Sequence, residues 1–288
     1  MRWIEEQVNS ILSQEGVAVS LVVSVDASDD GTEQWFAHLA QHEPRVTVLP
    51  QGGQDGGAAG NFFRLIAEVA AQEADHVAFA DQDDIWLTDK MRHAIDTIKA
   101  QKVSAYSGNV LAVWDNGRQH RVNKAQPQRE WDFLFEAAGP GCTYVFAHDC
   151  YRALRQHVLA HRSELQAVDR HDWFSYAFAR SRGFKWFIDP QAKMHYRQHG
   201  HNHVGANAGF KAILARCSDI SDGWWLEQAR SIARILELQS DPFVRPWISP
   251  GQRAGYAHLF KHASRCRRRA ADALFMKIVM AAMWVLNP

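Results

Sequence analysis

Short apolar runs alternate with amphipathic stretches through the first hundred residues, and this alternation restricts the fold more than any other feature. Residues 17–25 form a nearly continuous β-branched and apolar run, as expected of a strand that is buried on both faces. Shorter runs occur at residues 45–49 and 76–80, and stretches with helical spacing of apolar residues separate them. Strands that alternate with helices imply βαβ units, so we predict an α/β fold with a Rossmann-like, mostly parallel central sheet.

The second half of the chain has a less regular pattern. Helical spacing returns beyond residue 210, so we divide the chain into an α/β domain at 1–209 and a C-terminal helical extension at 210–288. In the later part of the α/β domain we predict a helix at residues 172–179 and short strands at residues 103–107, 109–114, 143–147, 185–188 and 193–196.

Composition excludes several classes of protein. Lys and Arg together number 32, as do Asp and Glu, so no overall charge favours nucleic acid as a partner. The four cysteines form no CxxC pair and no disulfide framework, which favours reduced thiols. The first ten residues lack the apolar core of a signal peptide, and no apolar run approaches the roughly 20 residues of a membrane span. We therefore expect a cytoplasmic location.

The strongest local motif is FADQDDIW at residues 79–86, where three carboxylates follow an apolar strand directly. Clustered carboxylates repel one another unless a cation neutralises them, and their hard oxygen atoms suit Mg²⁺ or Mn²⁺. An ion held by Asp81, Asp83 or Asp84 would stabilise a diphosphate leaving group. The alternative is a solvated acidic turn that caps the helix beginning near Thr88.

Two further polar clusters lie where nucleotide-binding folds place their ligand. Asp26 ends the first strand in SVDASDDGT, where a carboxylate can bind a base or a ribose; ordinary turn chemistry is the alternative. The segment GGQDGGAAGN, which includes Gly60 and Asn61, opens a helix whose N-terminus favours anions. It lacks the Gly-Lys-Ser/Thr ending of a P-loop, and a flexible loop is the alternative.

Two motifs in the second half could carry chemistry. In RHDWF, Asp172 at a helix start could act as a general base and His171 could orient it, although the motif taken alone favours an N-terminal helix cap. In HYRQHGHNHVG, Arg197 and His199 could contact a diphosphate. A zinc site and a plain polar loop are the alternatives for this histidine-rich segment.

Together these segments resemble the inverting family 2 glycosyltransferases, and among them the rhamnosyltransferase-like enzymes of bacterial surface polysaccharides. The resemblance covers about residues 3–205, and FADQDDIW followed by HDWF is its most specific part. It implies the GT-A fold, a Rossmann-like α/β/α sandwich. The segments that carry it, in the order of the family, are EEQVNSIL, SVDASDDGT, GGAAGNFFRLI, FADQDDIW, HDWF and YRQHGHNHVG.

The resemblance also implies a role for individual residues. It assigns Asp172 as the catalytic base, His171 and Trp173 to the acceptor, and a metal ion to Asp83 and Asp84. It assigns the nucleotide sugar to Asp26, Gly60, Asn61, Asp81, Arg197 and His199.

The implied reaction is a single displacement that transfers a sugar, with rhamnose from dTDP-rhamnose as the expected donor, to a surface-polysaccharide or lipid-linked glycan. Transfer of another hexose is the nearest alternative. Family members normally begin with an apolar strand ahead of the helix that starts here at Trp3, so weakened activity or a non-catalytic binding relic is also expected. A zinc-dependent hydrolase that uses the histidines near His199 is a further class.

Near the C-terminus, four arginines among residues 265–269 precede the apolar segment ADALFMKIVMAAMWVL. A basic cluster beside an apolar helix suits peripheral attachment to an anionic membrane surface. The alternative is a helix packed on the domain with solvated arginines, and the sequence does not separate the two.

Overall fold

The computed structural model describes residues 2–26, 28–51, 57–199 and 223–286. The chain divides into two compact units, and each unit is assembled from three segments. The first unit contains residues 1–125, 139–166 and 183–206, and the second contains residues 126–138, 167–182 and 207–288.

The boundary that we predicted between residues 209 and 210 lies outside the described residues. The second unit also contains residues 126–138 and 167–182, which the sequence-based division placed in the first domain. The predicted C-terminal helical stretch is present.

The strands and the first five helices belong to the first unit. Its helices are α1 (Ile4–Leu12), α2 (Thr32–His42), α3 (Ala58–Glu68), α4 (Lys90–Gln101) and α5 (His148–Ala160). Its strands are β1 (Leu21–Val23), β2 (Val46–Val48), β3 (His76–Ala78), β4 (Ile85–Trp86), β5 (Ala105–Trp114), β6 (Gln119–Val122), β7 (Val145–Ala147) and β8 (Trp186–Gln198).

The βαβ unit predicted at the start of the chain is confirmed. β1 and β2 pair in parallel, with Leu21 opposite Val46, and α2 connects them. The turn before α2 is fixed by Asp30, whose Oδ1 accepts hydrogen bonds from the Thr32 backbone N at 3.0 Å and from Thr32 Oγ1 at 2.6 Å. This contact supplies a partner for a backbone donor at the helix start.

The larger sheet corrects the expectation of a mostly parallel arrangement. Its strand order is β3-β7-β5-β8-β4, with β6 paired to β5. Among the described strands of this sheet, only β5 and β8 run parallel, and the other pairs are antiparallel. The alternation of strands and helices that predicted a parallel sheet ends at α4, and β5 is followed by a direct hairpin to β6.

Two long strands each replace a predicted pair of short strands. In β8 the register moves from Gly108 opposite Asp189 to Asn109 opposite Ala192, which leaves Pro190 and Gln191 as a bulge. A side chain at Gly108 would place its Cβ 3.1 Å from the Gln191 carbonyl oxygen, so a larger residue there would push the bulge by a few tenths of an ångström. Gly108 and Pro190, which lie between the predicted short strands, are thus inside β5 and β8.

Helix α1 fixes the position of β4 in the first unit. Its apolar face buries Ile4 and Val8 against Phe36 of α2, and Ile11 packs in a cluster with Trp86 and Met194. Because Trp86 ends β4 and Met194 lies opposite it on β8, this core holds the loop after β3 against the end of β8.

The second unit is helical. Its buried polar centre is Asp132, which is 0% exposed and bonds to Tyr176, Arg180 and Arg268. Its helices are α6 (His171–Ser181), α7 (Trp224–Ile235), α8 (Arg253–Cys266) and α9 (Ala270–Leu286). In the part of the chain that the structure describes, no helix combines the length and apolar character needed to cross a bilayer.

Candidate active site

The acidic loop between β3 and β4 is the centre of the candidate site. Asp84 is 0% exposed, and Asp81 is half-buried. Asp84 Oδ1 accepts a hydrogen bond from the Arg197 backbone N at 3.2 Å, whereas its Oδ2 has no hydrogen-bond partner among the described residues. Burial, together with the charges of Asp81 and Asp83, raises the pKa of Asp84 well above its usual value. This carboxylate therefore lies in a position that favours a cation.

A thiol completes the cluster from another part of the chain. The ligand atoms of Asp81, Asp84 and Cys142 all lie within 4.8 Å of one another. Burial and the neighbouring carboxylates raise the pKa of the Cys142 thiol. Two carboxylates fit a divalent cation such as Mg²⁺ or Mn²⁺, and the buried Oδ2 of Asp84 offers it an oxygen with no protein partner in the described part. A thiol is a softer ligand than these ions usually take.

Lys90 is a buried cation beside this cluster. It is 2% exposed, and its Nζ lies 3.3 Å from the ring centroid of Trp86. Burial lowers the pKa of Lys90 to about 7, while the nearby Cys142 and Asp84 oppose that shift. Sequence reasoning missed both Lys90 and Cys142. The i, i+4 spacing of Trp86 and Lys90 was the one local signal, and nothing near Cys142 indicated its position.

The end of β8 brings Arg197 and His199 to the acidic loop, as their predicted shared role requires. Arg197 Nε donates a hydrogen bond to the Asp83 carbonyl oxygen at 2.9 Å, and its Nη2 donates to Glu6 Oε2 at 2.6 Å. His199 Nε2 and Asp83 Oδ2 form a hydrogen bond of 2.7 Å, and the His199 ring stacks on Trp3 with centroids 4.2 Å apart.

The three carboxylates of the motif therefore have different partners. Asp83 bonds to His199, whereas Asp84 is grouped with Asp81. The assignment of the metal to Asp83 and Asp84 stays a prediction, and the geometry adds Asp81 as a candidate ligand. Of the histidine segment, residues 200–205 lie outside the described residues. Within the described residues, the group with metal-ligand geometry contains no histidine.

Three of the predicted nucleotide-binding residues, Asp26, Gly60 and Asn61, lie at the end of β1 and the start of α3. Asn61 Nδ2 donates a hydrogen bond to the Ser24 carbonyl oxygen at 3.2 Å, and its buried Oδ1 has no partner in the described part of the chain. Gly60 lies beside it in the first turn of α3, and Asp26 is exposed after β1. The preceding residues 52–56 of the Gly-rich loop lie outside the described residues.

Arg64 of α3 ties this region together, and the sequence analysis did not identify it. Arg64 is 9% exposed, and its Nη1 donates to Ser24 Oγ at 3.1 Å. Its Nη2 donates to the Pro50 carbonyl oxygen, and its Nε pairs with Glu68 at 3.0 Å. One guanidinium thus connects the ends of β1 and β2 to α3.

The predicted base and acceptor residues lie in the second unit, at the start of α6. Asp172 occupies the first turn, is half-buried, and accepts a hydrogen bond from the Trp173 backbone N at 2.7 Å. Burial lowers the pKa of His171 to about 4, so its ring is neutral near pH 7. Trp173 is 5% exposed and its Nε1 donates to the Phe133 carbonyl oxygen at 2.9 Å, so its contact with an acceptor stays a prediction.

Comparison with known proteins identifies the family. Residues 2–162 match the family described as glycosyl transferase family 2. The chain is 38% identical over 286 residues to the dTDP-rhamnosyl transferase RfbG of Shigella flexneri, which covers 99% of this chain and 96% of that protein.

Solved structures show the same fold at low sequence identity. The structure of S. aureus TarS 1–349 in complex with UDP is similar with a TM-score of 0.54 and 15% identity, over 91% of this chain and 68% of that one. The complex of TarS 1–349 with UDP-GlcNAc gives a TM-score of 0.53 and 13% identity, over 99% of this chain and 85% of that one. The chain therefore belongs to glycosyltransferase family 2 and has the GT-A fold.

Proposed function

We propose that this glycosyltransferase transfers rhamnose from dTDP-rhamnose to a hydroxyl of a surface-polysaccharide or lipid-linked glycan. The observation that carries the proposal is the 38% identity, over almost the whole of both chains, to a protein named as a dTDP-rhamnosyl transferase. The acidic loop supports it, because Asp81 and Asp84 converge with the diphosphate candidates Arg197 and His199 at one edge of the first unit.

In the proposed reaction, Asp172 accepts the proton of the acceptor hydroxyl as general base. The hydroxyl oxygen forms a bond to the anomeric carbon on the face opposite to the nucleoside diphosphate, and the bond from that carbon to the diphosphate oxygen breaks. The configuration at the anomeric carbon is thereby inverted, through an oxocarbenium-like transition state by analogy with glycoside hydrolysis. Asp26, Gly60 and Asn61 hold the nucleoside, and Arg197 and His199 bind the diphosphate.

A divalent cation, Mg²⁺ or Mn²⁺, belongs to the proposal. Asp81 and Asp84 would hold it, with Asp83 as a further candidate. When bound, the cation supplies positive charge to the departing diphosphate. Arg197, which pairs with Glu6 at 2.6 Å, would add its positive charge to the same region.

A cytoplasmic location is also part of the proposal. The three cysteines in the described part of the chain, Cys142, Cys150 and Cys266, are all free and buried. Free thiols are typical of a reducing compartment.

Thermal-shift measurements of donor binding test the proposal. The protein is heated with dTDP-rhamnose, UDP-glucose or UDP-galactose, with and without Mn²⁺, because a ligand that binds only the folded state raises the melting temperature. We expect the largest rise with dTDP-rhamnose and Mn²⁺, and its loss in Asp81→Asn. Asp96→Asn, which changes an exposed carboxylate on α4, is the matched control.

Binding and product analysis together distinguish the finer parts of the proposal. A larger rise in melting temperature with a uridine donor would indicate transfer of another hexose. No rise with any donor would indicate a non-catalytic binding protein. NMR of the product shows whether the anomeric configuration is inverted. Retention, or unchanged turnover in Asp172→Asn, would contradict the assigned mechanism.

A further inference from the structure

Helices α8 and α9 form an antiparallel hairpin at the C-terminal end of the second unit. The buried residues of α9 are Ala273, Met276 and Met280, whose spacing places them on one face of the helix. This face packs within the unit. The rest of α9 is almost entirely apolar, so packing one face leaves another apolar face uncovered by the described residues.

The uncovered face concentrates the exposed apolar side chains of the molecule. Seven large apolar side chains are exposed in the part of the chain that the structure describes, and six of them lie on this hairpin. Their exposed fractions are 44% for Phe260, 61% for Leu274, 60% for Ile278, 45% for Trp284, 65% for Val285 and 76% for Leu286. Patches of this kind mark interaction surfaces in folded proteins.

Three of the four arginines ahead of α9 are paired with carboxylates rather than directed only to solvent. Arg265 pairs with Glu130 at 2.7 Å, Arg267 lies 3.8 Å from Asp272, and Arg268 pairs with Asp132 at 3.1 Å. These guanidinium groups therefore have carboxylate partners inside the second unit. Neither alternative from the sequence, a membrane-binding cluster or a solvated one, describes Arg268, which is 3% exposed.

Other cations border the apolar face. Arg253 lies 5.2 Å from the Trp284 ring centroid and Lys277 lies 5.8 Å from that of Phe260. Lys261 is exposed on α8, and Arg269 is exposed in the turn just before α9. Residues 253–286 contain seven Lys and Arg residues but a single carboxylate, Asp272. The hairpin thus combines an apolar face with a cationic border.

We propose that the exposed face of the α8–α9 hairpin binds the surface of a bilayer that carries anionic phospholipids. The apolar side chains enter the boundary of the acyl chains while Arg253, Lys261 and Lys277 contact the head groups, as interfacial helices do. A second copy of the chain fits this surface less well, because the same cationic border on both partners would repel. The proposal does not depend on the identity of the donor sugar.

Flotation with lipid vesicles tests the proposal on the full-length chain. The protein is mixed with vesicles of phosphatidylcholine alone, or of equal parts of phosphatidylcholine and phosphatidylglycerol, and centrifuged through a density gradient. We expect flotation with the anionic vesicles, little with the neutral ones, and a decrease at high salt, which screens exposed charges.

Two variants separate the contributions, and a third is the control. Leu274→Gln/Ile278→Gln should lower the bound fraction by roughly tenfold or more, because two apolar side chains no longer enter the lipid. Lys261→Glu/Lys277→Glu should abolish the preference for anionic vesicles. Leu159→Gln alters the one exposed large apolar side chain outside the hairpin in the described part, and it should leave flotation unchanged.

Circular dichroism confirms that each variant is folded. Absence of flotation by the unaltered protein, or equal loss in the Leu159→Gln control, would overturn the proposal. Sedimentation that shows a dimer dissolved by Leu274→Gln/Ile278→Gln would overturn it in favour of a second copy of the chain. Donor-binding shifts are measured in parallel, so failure here is distinguishable from failure of the proposed function.

Discussion

At the scale of single residues, Asp84 combines complete burial with a carboxylate that has one unpartnered oxygen in the described part. Its pKa is raised in the folded state, so the folded protein loses stability as pH rises from the unfolded pKa towards the folded one. Above that window, and in the absence of a cation, the ionised Asp84 lowers the free energy of unfolding by its full amount. The proposed metal ligand would thus also destabilise the cation-free protein.

Asp84→Asn should therefore stabilise the cation-free protein at neutral pH. The amide keeps an acceptor for the Arg197 backbone N and removes the charge, and each unit of pKa shift corresponds to about 1.4 kcal/mol. The gain over the unaltered protein should shrink as the pH falls, and stabilisation by Mn²⁺ should vanish. Thermal unfolding over a pH series measures both effects. A variant that is less stable at every pH would contradict this view of Asp84.

His171 gives the opposite dependence on pH. Burial lowers its pKa from 6.5 to about 4, so the unfolded chain binds the proton more readily between these values. The contribution of His171 to stability is fully present above the unfolded pKa. It is lost as the pH falls through this window, by at most about 2 kcal/mol near pH 5. In urea unfolding, the free energy of unfolding of His171→Asn should fall less between neutral pH and pH 5 than that of the unaltered protein. His120→Asn, an exposed position, should keep the full loss; equal behaviour of the two variants would exclude His171 as the cause.

The residues of the acidic motif were predictable from sequence because their type and order carry the signal. Arg197 contacts Asp84 and His199 contacts Asp83, as expected of strands that end at one edge of a sheet. Lys90 and Cys142 were not predictable. Each is buried by tertiary contacts with segments distant in sequence, and a buried lysine or cysteine has the same local pattern as any other residue of a helix or turn.

At the scale of elements, α3 holds the ends of β1 and β2 through the single side chain of Arg64. Arg64→Lys keeps the charge but loses the fork of donors that reaches both Ser24 and Pro50. We expect donor affinity to fall by about tenfold, as for one or two lost hydrogen bonds, with little change in Mn²⁺ binding. Isothermal titration measures both constants. Arg152→Lys, at an exposed ion pair on α5, is the control, and a matching loss there would remove the special role of Arg64.

Local pattern predicted the elements better than it predicted their pairing. The helix and the strands of β1–α2–β2 agree with the sequence, since a helix between two strands favours a parallel crossover. The orientation of β7, which lies antiparallel between β3 and β5, depends on partners from distant parts of the chain. Likewise, Pro190 suggests a strand end locally, and only the pairing with β5 shows that it lies in a bulge.

At the scale of the whole molecule, the second unit is assembled from segments that sequence order does not connect. Asp132 and Arg268 are both buried and pair at 3.1 Å, although 136 residues separate them. Tyr176 Oη also donates to Asp132, at 3.0 Å. No local pattern in either segment predicts such a pair, so a division of the chain at one point could not identify this unit.

Arg268→Met tests the weight of this buried pair. Removing one member leaves Asp132 charged and buried, and breaking such pairs costs about 3–5 kcal/mol. The free energy of unfolding in urea should fall by about that amount. The fall should be smaller if Arg180, 3.1 Å from Asp132, continues to stabilise the buried carboxylate. Arg269→Met changes the exposed neighbour and should cost little. Equal free energies of unfolding for the two variants would show that the buried pair contributes no more to stability than an exposed arginine.

The contact between Arg197 and the acidic loop also sets an order of events during synthesis. Asp83 leaves the ribosome 114 residues before Arg197, and Glu6 leaves 191 residues before it. At the usual rate of elongation, about 5–20 residues per second, the acidic loop waits roughly 6–23 seconds for its cationic partner. Throughout that interval the nascent chain carries Asp81, Asp83 and Asp84 without the end of β8, so Arg197 cannot yet offset the repulsion among these carboxylates.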